Sequence, residues 1–144
     1  MYKVDMERKA KPQKQVAALP YRKHGAGIEV LLITSRETKR WVIPKGWRMA
    51  HLKDYSAAAR EAFEEAGIEG EMSHKSIGSF FYDKRKKYGR SQSINVTVYA
   101  MEVNRLLDEW PEKNQRTRRW FAAAEAAELV QEEGLKAVIE AILV

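Results

Sequence analysis

Residues 60 to 67, Arg60-Glu61-Ala62-Phe63-Glu64-Glu65-Ala66-Gly67, put three carboxylates and an arginine into two helical turns. Side chains three and four apart share one face of a helix. Glu61 and Glu65 are therefore neighbours, and Glu64 stands one position around. Ala62, Phe63 and Ala66 are free to face a core, and Gly67 is suited to close the helix in a left-handed turn. Acids so close repel one another unless solvent and Arg60 relieve them or a cation joins them. A hard divalent ion such as Mg²⁺ takes oxygen ligands, often one or two carboxylates together with substrate phosphates. A solvated acidic face and a metal site are the two readings these eight residues leave open.

The upstream segment tilts the choice. Trp41-Val42-Ile43-Pro44 reads as a short buried strand stopped by proline, and Lys45-Gly46-Trp47 as a tight cationic loop. Asp54 or Ser56 is placed to cap a helix that starts near Tyr55 and runs through Ala57, Ala58 and Ala59 into the acids. A strand, a glycine loop and a helix with acids late in it can bring the backbone near Gly46 to the ion that the carboxylates hold.

At these positions the chain resembles the Nudix hydrolases, whose signature is Gly, five residues, Glu, seven residues, then Arg-Glu-aliphatic-x-Glu-Glu-x-Gly-aliphatic. Gly46, Arg60, Glu61, Ala62, Glu64, Glu65, Gly67 and Ile68 fall at the matching spacing, and Leu52 stands where the family has its first Glu. The resemblance implies Mg²⁺ or Mn²⁺ as cofactor, with Glu61, Glu65 and the Gly46 backbone as ligands. It also implies Glu64 as the base that activates water and Arg60 as the residue that orients it by a charge-assisted hydrogen bond. Asp54, two residues out of register from Leu52, is a candidate substitute for the missing acid.

Three further stretches resemble the diphosphoinositol polyphosphate phosphohydrolases, which also act on diadenosine polyphosphates. They are Lys14 to Arg22, Arg40 to Gly46, and Leu107 to Trp110 followed by Arg116 to Phe121. Gln15 departs from a basic position of that pattern, and Lys45 from a glycine.

The chain has 144 residues and no cysteine, which suits one domain and excludes disulfides and thiolate metal sites. No apolar run approaches a membrane span, and the first residues lack the apolar middle of a signal peptide. A cytoplasmic protein is expected. The formal charge of +6 favours anionic partners such as phosphorylated molecules, nucleic acid or acidic membranes without choosing among them.

Residues 1–13 are expected to form a flexible basic arm, and residues 14–144 the domain. Gln15 to Arg22 and Glu29 to Ser35 read as strands around a turn at His24 to Gly27. Lys75 to Tyr82 and Ser93 to Val103 read as a hairpin, because Ile94, Val96 and Val98 alternate with Asn95, Thr97 and Tyr99. Arg118 to Phe121 reads as a strand and Glu132 to Leu143 as a helix. The sum is an α+β fold, a mixed sheet with helices on its faces, in keeping with the α/β/α sandwich that the resemblance implies.

Cutting a phosphoanhydride needs an activated water, a metal to neutralise phosphoryl oxygens, and cations around the remaining charge. The candidate cations are Lys14, Arg22, Arg40, Lys45, Arg85, Lys86, Arg90, Arg116 and Arg118, with a concentration at Lys84 to Arg90. The arginine fork can hold two phosphate oxygens at once. Trp41, Trp110 and Trp120 read as packing residues, Trp47 as either packing or pocket wall, and His24, His51 and His74 as exposed and unpaired. The expected partner is a polyphosphorylated small molecule, with diphosphoinositol polyphosphates and dinucleoside polyphosphates as close rivals. A Nudix-like module that binds a phosphorylated ligand without cutting it is a second reading, favoured by Leu52. Nucleic acid is a less favoured partner, because the basic tip carries a single aromatic, Tyr88.

Overall fold

A computed structural model describes residues 13–85 and 89–143. Its strands are β1 (Gln13–His24), β2 (Gly27–Thr34), β3 (Trp41–Val42), β4 (Lys45–Trp47), β5 (Ile68–Met72), β6 (Gly78–Arg85), β7 (Ser91–Leu106) and β8 (Arg118–Ala122). Its helices are α1 (Asp54–Ala66), α2 (Ala123–Leu129) and α3 (Glu133–Ala141). The strands form one mixed sheet with the spine β3-β2-β1-β7-β5, on which β4 pairs with β1, β6 with β7 and β8 with β2. The β1–β7 pairing is parallel, from Gln13 opposite Ile94 to Tyr21 opposite Glu102. The other pairings are antiparallel.

Alternation along the central strands builds two cores. Val16 and Ala18 of β1, Leu31 and Ile33 of β2, and Met101 of β7 pack against Ala57, Ala58, Ala62 and Ala66 of α1. Ala17 and Leu19, Val30 and Leu32, and Ile94, Val96 and Val98 pack on the other side against Ala126, Leu135, Val138 and Ile139 of α2 and α3. The continuous run Val16 to Leu19 is what a strand covered on both faces requires. The expected α+β sandwich is thus the observed one. In α1, Ala58, Ala62 and Ala66 recur every four residues, and these small side chains let the helix lie close on the sheet.

Several expectations are corrected. Lys45 to Trp47 is a strand, not a loop: Gln15, Val16 and Ala17 pair with Trp47, Gly46 and Lys45. Helix α1 begins at Asp54 after Lys53, with no side-chain cap, so neither Asp54 nor Ser56 serves as the N-cap. Asp54 adds its negative charge to the first turn, where the helix dipole favours it, and pairs with Arg48 at 3.0 Å. Phe63 is 38% exposed, because the alanines on the adjacent stripe take the core face. The final helix is shorter than expected, and β5 and α2 were not anticipated from the sequence. Gly67 does end α1 at φ 65°, and a side chain there would overlap the Trp110 ring. Of the expected arm, Gln13 opens β1 and the rest lies outside the described residues. Among the described residues, no helix is long and apolar enough to cross a membrane.

Candidate active site

Glu61 and Glu65 each precede a buried alanine of α1, so both carboxyls rise at the edge of the seam between helix and sheet. There they meet β4. A Cβ on Gly46 would fall inside the Glu61 carboxyl group, so glycine at this position leaves the space that Glu61 fills. The Lys45 backbone N–H donates to Glu65 Oε1 at 3.3 Å. Helix and strand are therefore locked together through the two acids.

The acids differ in their partners. Arg116 Nη2 lies 3.6 Å from Glu65 Oε2, and both side chains are about a tenth exposed. Burial pushes the Glu65 carboxyl up, while Arg116 and Lys45 pull it back. Glu61 lacks such relief. Burial, then the charges of Glu65, Glu64 and Glu112, raise it to about 7, and it shares a hydrogen bond with Glu65. When no cation is bound, the Glu61 carboxyl therefore gives up its proton as pH rises through about 7.

The pair opens into a cleft of about 570 Å³. One wall carries Gln15, Tyr82 and Lys45. Tyr82 O–H donates to Gln15 Oε1 at 2.9 Å, and the Lys45 ammonium sits 4.9 Å from the centre of the Tyr82 ring. Burial lowers the Lys45 pKa, with Glu65 and Glu132 opposing the shift. Arg36, Lys84 and Arg85 line the rim. Trp47 also lines it, 43% exposed, with Lys84 Nζ 5.1 Å from its ring centre.

Of the residues singled out from the sequence, Lys45, Gly46, Glu61, Glu65, Arg85 and Arg116 line this cleft. Glu64 and Arg60 do not. They face solvent on α1, with Arg60 Nε 3.9 Å from Glu64 Oε2. Lys14 and Arg90 are exposed and do not line the cleft. Arg22 pairs with Glu29 at 2.7 Å and stacks on Trp120, and Arg40 pairs with Glu132 at 3.4 Å. Arg118 donates to the carbonyls of Ala66, Gly67 and Leu107 at 3.0, 2.9 and 2.7 Å and stacks on Trp110. Its guanidinium is committed to the protein's own backbone. Lys86 lies outside the described residues. His24, His51 and His74 are exposed as expected, but His74 is not unpaired: it stacks on Tyr55 at 4.0 Å. Asp54 is held by Arg48 and is not in the cleft.

Sequence reading missed Gln15, Arg36, Tyr82 and Glu112. Gln15 and Tyr82 are 67 positions apart and meet only through the sheet, so no local pattern announces them. Glu112 did leave a signal, since it stands four residues before Arg116 and accepts from its Nε at 2.8 Å.

The donor set fits a hard divalent ion of modest protein coordination. Two half-buried carboxyls, both pushed up by burial, stand beside a backbone that a glycine keeps clear, and a cation there would favour their charged forms. Among the described residues, no group of three or more His, Cys, Asp or Glu is gathered closely enough to cage a metal. Leu52, where a third acid would stand, is instead partly buried and packs against the core cluster under α1. The remaining coordination falls to water and to the phosphates of a substrate.

The sequence matches the NUDIX domain family over residues 11–142. It is 34% identical over 133 residues to Nudix hydrolase 21, chloroplastic, of Arabidopsis thaliana, covering 89% of this chain and 65% of that protein. It is 29% identical over 121 residues to diphosphoinositol polyphosphate phosphohydrolase 3-beta of Bos taurus, covering 83% and 70%. The chain spans 54% to 65% of the length of the three Arabidopsis relatives first matched. In fold it is similar to the crystal structure of C. elegans Ap4A hydrolase, with a TM-score of 0.66 at 21% identity over 92% of this chain and 96% of that one.

Proposed function

This chain belongs to the NUDIX domain family, and from that premise we propose that it hydrolyses phosphoanhydride bonds in polyphosphorylated small molecules with the help of Mg²⁺ or Mn²⁺. The observation that carries the reading is the half-buried Glu61–Glu65 pair in a cleft also lined by Arg36, Lys84 and Arg85. A metal site and a polyanion site are superposed there.

Glu61, Glu65 and the Gly46 backbone would hold the ion, which when bound neutralises phosphoryl oxygens and lowers the pKa of water. Lys45 and the rim cations would bind and orient the phosphate chain, fixing the scissile group over the acids. By the family resemblance Glu64 is the proposed base that takes the proton from the attacking water; it stands outside the cleft here, so the role requires its side chain to turn from solvent toward the Glu61–Glu65 pair. Arg60 is its proposed partner on the next turn.

The substrate classes proposed are diphosphoinositol polyphosphates and dinucleoside polyphosphates. A relative named for the first and a structural neighbour named for the second support them. A cytoplasmic setting remains part of the proposal, beside relatives named chloroplastic and mitochondrial, and subcellular fractionation tests it. The direct test is phosphate release with Mg²⁺ or Mn²⁺ across dinucleoside polyphosphates, inositol pyrophosphates, nucleoside diphosphate derivatives and capped RNA. Metal-dependent turnover of at least one of the first two is expected. Leu52 favours a second reading, a module that binds such ligands without cutting them. Tight binding with no turnover on the whole set would establish that reading instead.

A further inference from the structure

Resting on the metal-site reading above, we infer that Arg116 is a positioning residue for Glu65, held in place by a splint formed by residues 107–118, rather than a substrate contact.

An α-helix leaves its last carbonyls without intrahelical partners, and buried ones must find donors elsewhere. At the end of α1 the donors come from this single segment. Glu112 N–H donates to the Glu64 carbonyl at 3.0 Å, and Leu107 N–H to the Gly67 carbonyl at 2.8 Å. Arg118 covers the Ala66 and Gly67 carbonyls, and the Trp110 ring lies where a side chain on Gly67 would be. The turn of α1 that carries Glu65 is therefore fastened to residues 107–118 at several points.

Arg116 extends that fastening to the Glu65 side chain. Its Nε donates to Glu112 Oε1 at 2.8 Å and its Nη1 to the Thr34 carbonyl at 3.2 Å, while its Nη2 faces Glu65 Oε2 at 3.6 Å. Each guanidinium nitrogen has a protein partner, and the side chain is about a tenth exposed. Two of its five N–H donors are spent on Glu112 and Thr34 and its charge faces Glu65, so the protein itself sets where the guanidinium points. What it can do is fix the Glu65 carboxylate from one side while the Lys45 N–H fixes the other oxygen. Arg60, by contrast, is 54% exposed and pairs with Glu64 at 3.9 Å.

Arg116→Lys keeps the charge but cannot span three acceptors. Binding of Mn²⁺ alone, read from the electron paramagnetic resonance signal of the free ion, should weaken about 10- to 100-fold, the usual consequence of losing a group that orients a ligand. At saturating Mn²⁺, KM for diadenosine tetraphosphate or an inositol pyrophosphate should stay within about twofold while kcat falls. Glu112→Ala, which frees the Nε end and leaves Arg116 and Glu65 intact, should move Mn²⁺ binding in the same direction by a smaller factor. It carries the test if Arg116→Lys does not fold. Unchanged Mn²⁺ affinity with a raised KM in the folded variant would overturn the inference and return Arg116 to the substrate. Absence of Mn²⁺ binding by the unaltered protein would instead overturn the metal site itself, and this inference with it.

Discussion

The Glu61 carboxyl group occupies the volume in which a side chain on Gly46 would begin. The two residues are 15 positions apart and belong to different elements, a helix and a strand paired to β1. The obstructing group is the end of a mobile side chain, not backbone. A methyl at position 46 therefore has an outlet: Glu61 swings away and the fold survives. Gly46→Ala should leave the melting temperature within a few degrees of the parent while reducing metal-dependent turnover by roughly tenfold or more, as expected for a displaced metal ligand. Circular dichroism melts and a Mn²⁺ titration on one preparation test the two halves separately. Unaltered turnover in a well-folded Gly46→Ala protein would show that Glu61 does not work from its present place.

The Glu61 proton makes metal-free stability depend on pH. The folded-state pKa is raised to about 7, above the ordinary carboxylate value. The folded chain therefore holds more protons than the unfolded one between those two values, and stability falls as pH rises through that window. The favourable contribution is complete below about pH 4.5 and is lost once pH passes about 7. With chelator present, the difference in melting temperature between wild type and Glu61→Gln should grow in favour of the variant from pH 5 to pH 8. Added Mg²⁺ should shrink it. A difference that does not change with pH would mean that Glu61 is ionised in the fold throughout.

Assignment of the base rests on the family resemblance. Glu64→Gln removes a carboxylate that neither lines the cleft nor joins the Glu61–Glu65 pair, so it should fold normally and bind Mn²⁺ like the parent. If Glu64 is the base, turnover falls by about a hundredfold or more, at the low end of what proton transfer contributes. Stopped assays at saturating Mn²⁺ measure it. Near-normal turnover would move the role to a carboxyl that faces the cleft.

Legibility in the sequence followed the range of the interactions. Spacing alone exposed the acid pair, the left-handed Gly67 and the alternation of Ile94, Val96 and Val98, because each is local to one element. The cations were harder. Lys45 and Arg116 line the cleft but are bound up with Glu65, Glu112 and Glu132, whereas Arg36 draws no attention in the sequence and yet reaches the rim. Which charge faces a ligand and which cements the fold depends on partners tens of residues away. The same holds for Lys45 to Trp47. A proline before it and a glycine inside it suggest a loop, and only its pairing with β1 makes it a strand.

Arg118 gives that distinction a measurable form. Its three donations to backbone carbonyls cap α1 and hold residue 107 beside it. Charged hydrogen bonds of this kind contribute about 2 kcal/mol when their loss leaves acceptors unsatisfied. Arg118→Ala should lower stability to urea by about that amount and leave the KM of a polyphosphorylated substrate unchanged. A raised KM without loss of stability would assign the residue to the ligand instead.

The rim cations should behave in the opposite way. Arg85 has no acid partner among the described contacts, and Lys84 rests on the Trp47 ring. Both are exposed, so neutralising them costs the fold little. Their attraction for a ligand grows with the ligand's charge and fades with salt. Exposed ion pairs contribute up to about 1 kcal/mol each; at about 0.7 kcal/mol each, removing two amounts to about tenfold in binding. Lys84→Gln combined with Arg85→Gln should therefore raise KM by about that factor for an inositol pyrophosphate, less for diadenosine tetraphosphate, and least for a nucleoside diphosphate derivative. The ordering should compress as ionic strength increases. Equal shifts for all three substrates, or shifts indifferent to salt, would mean that the polyanion enters the cleft by another side.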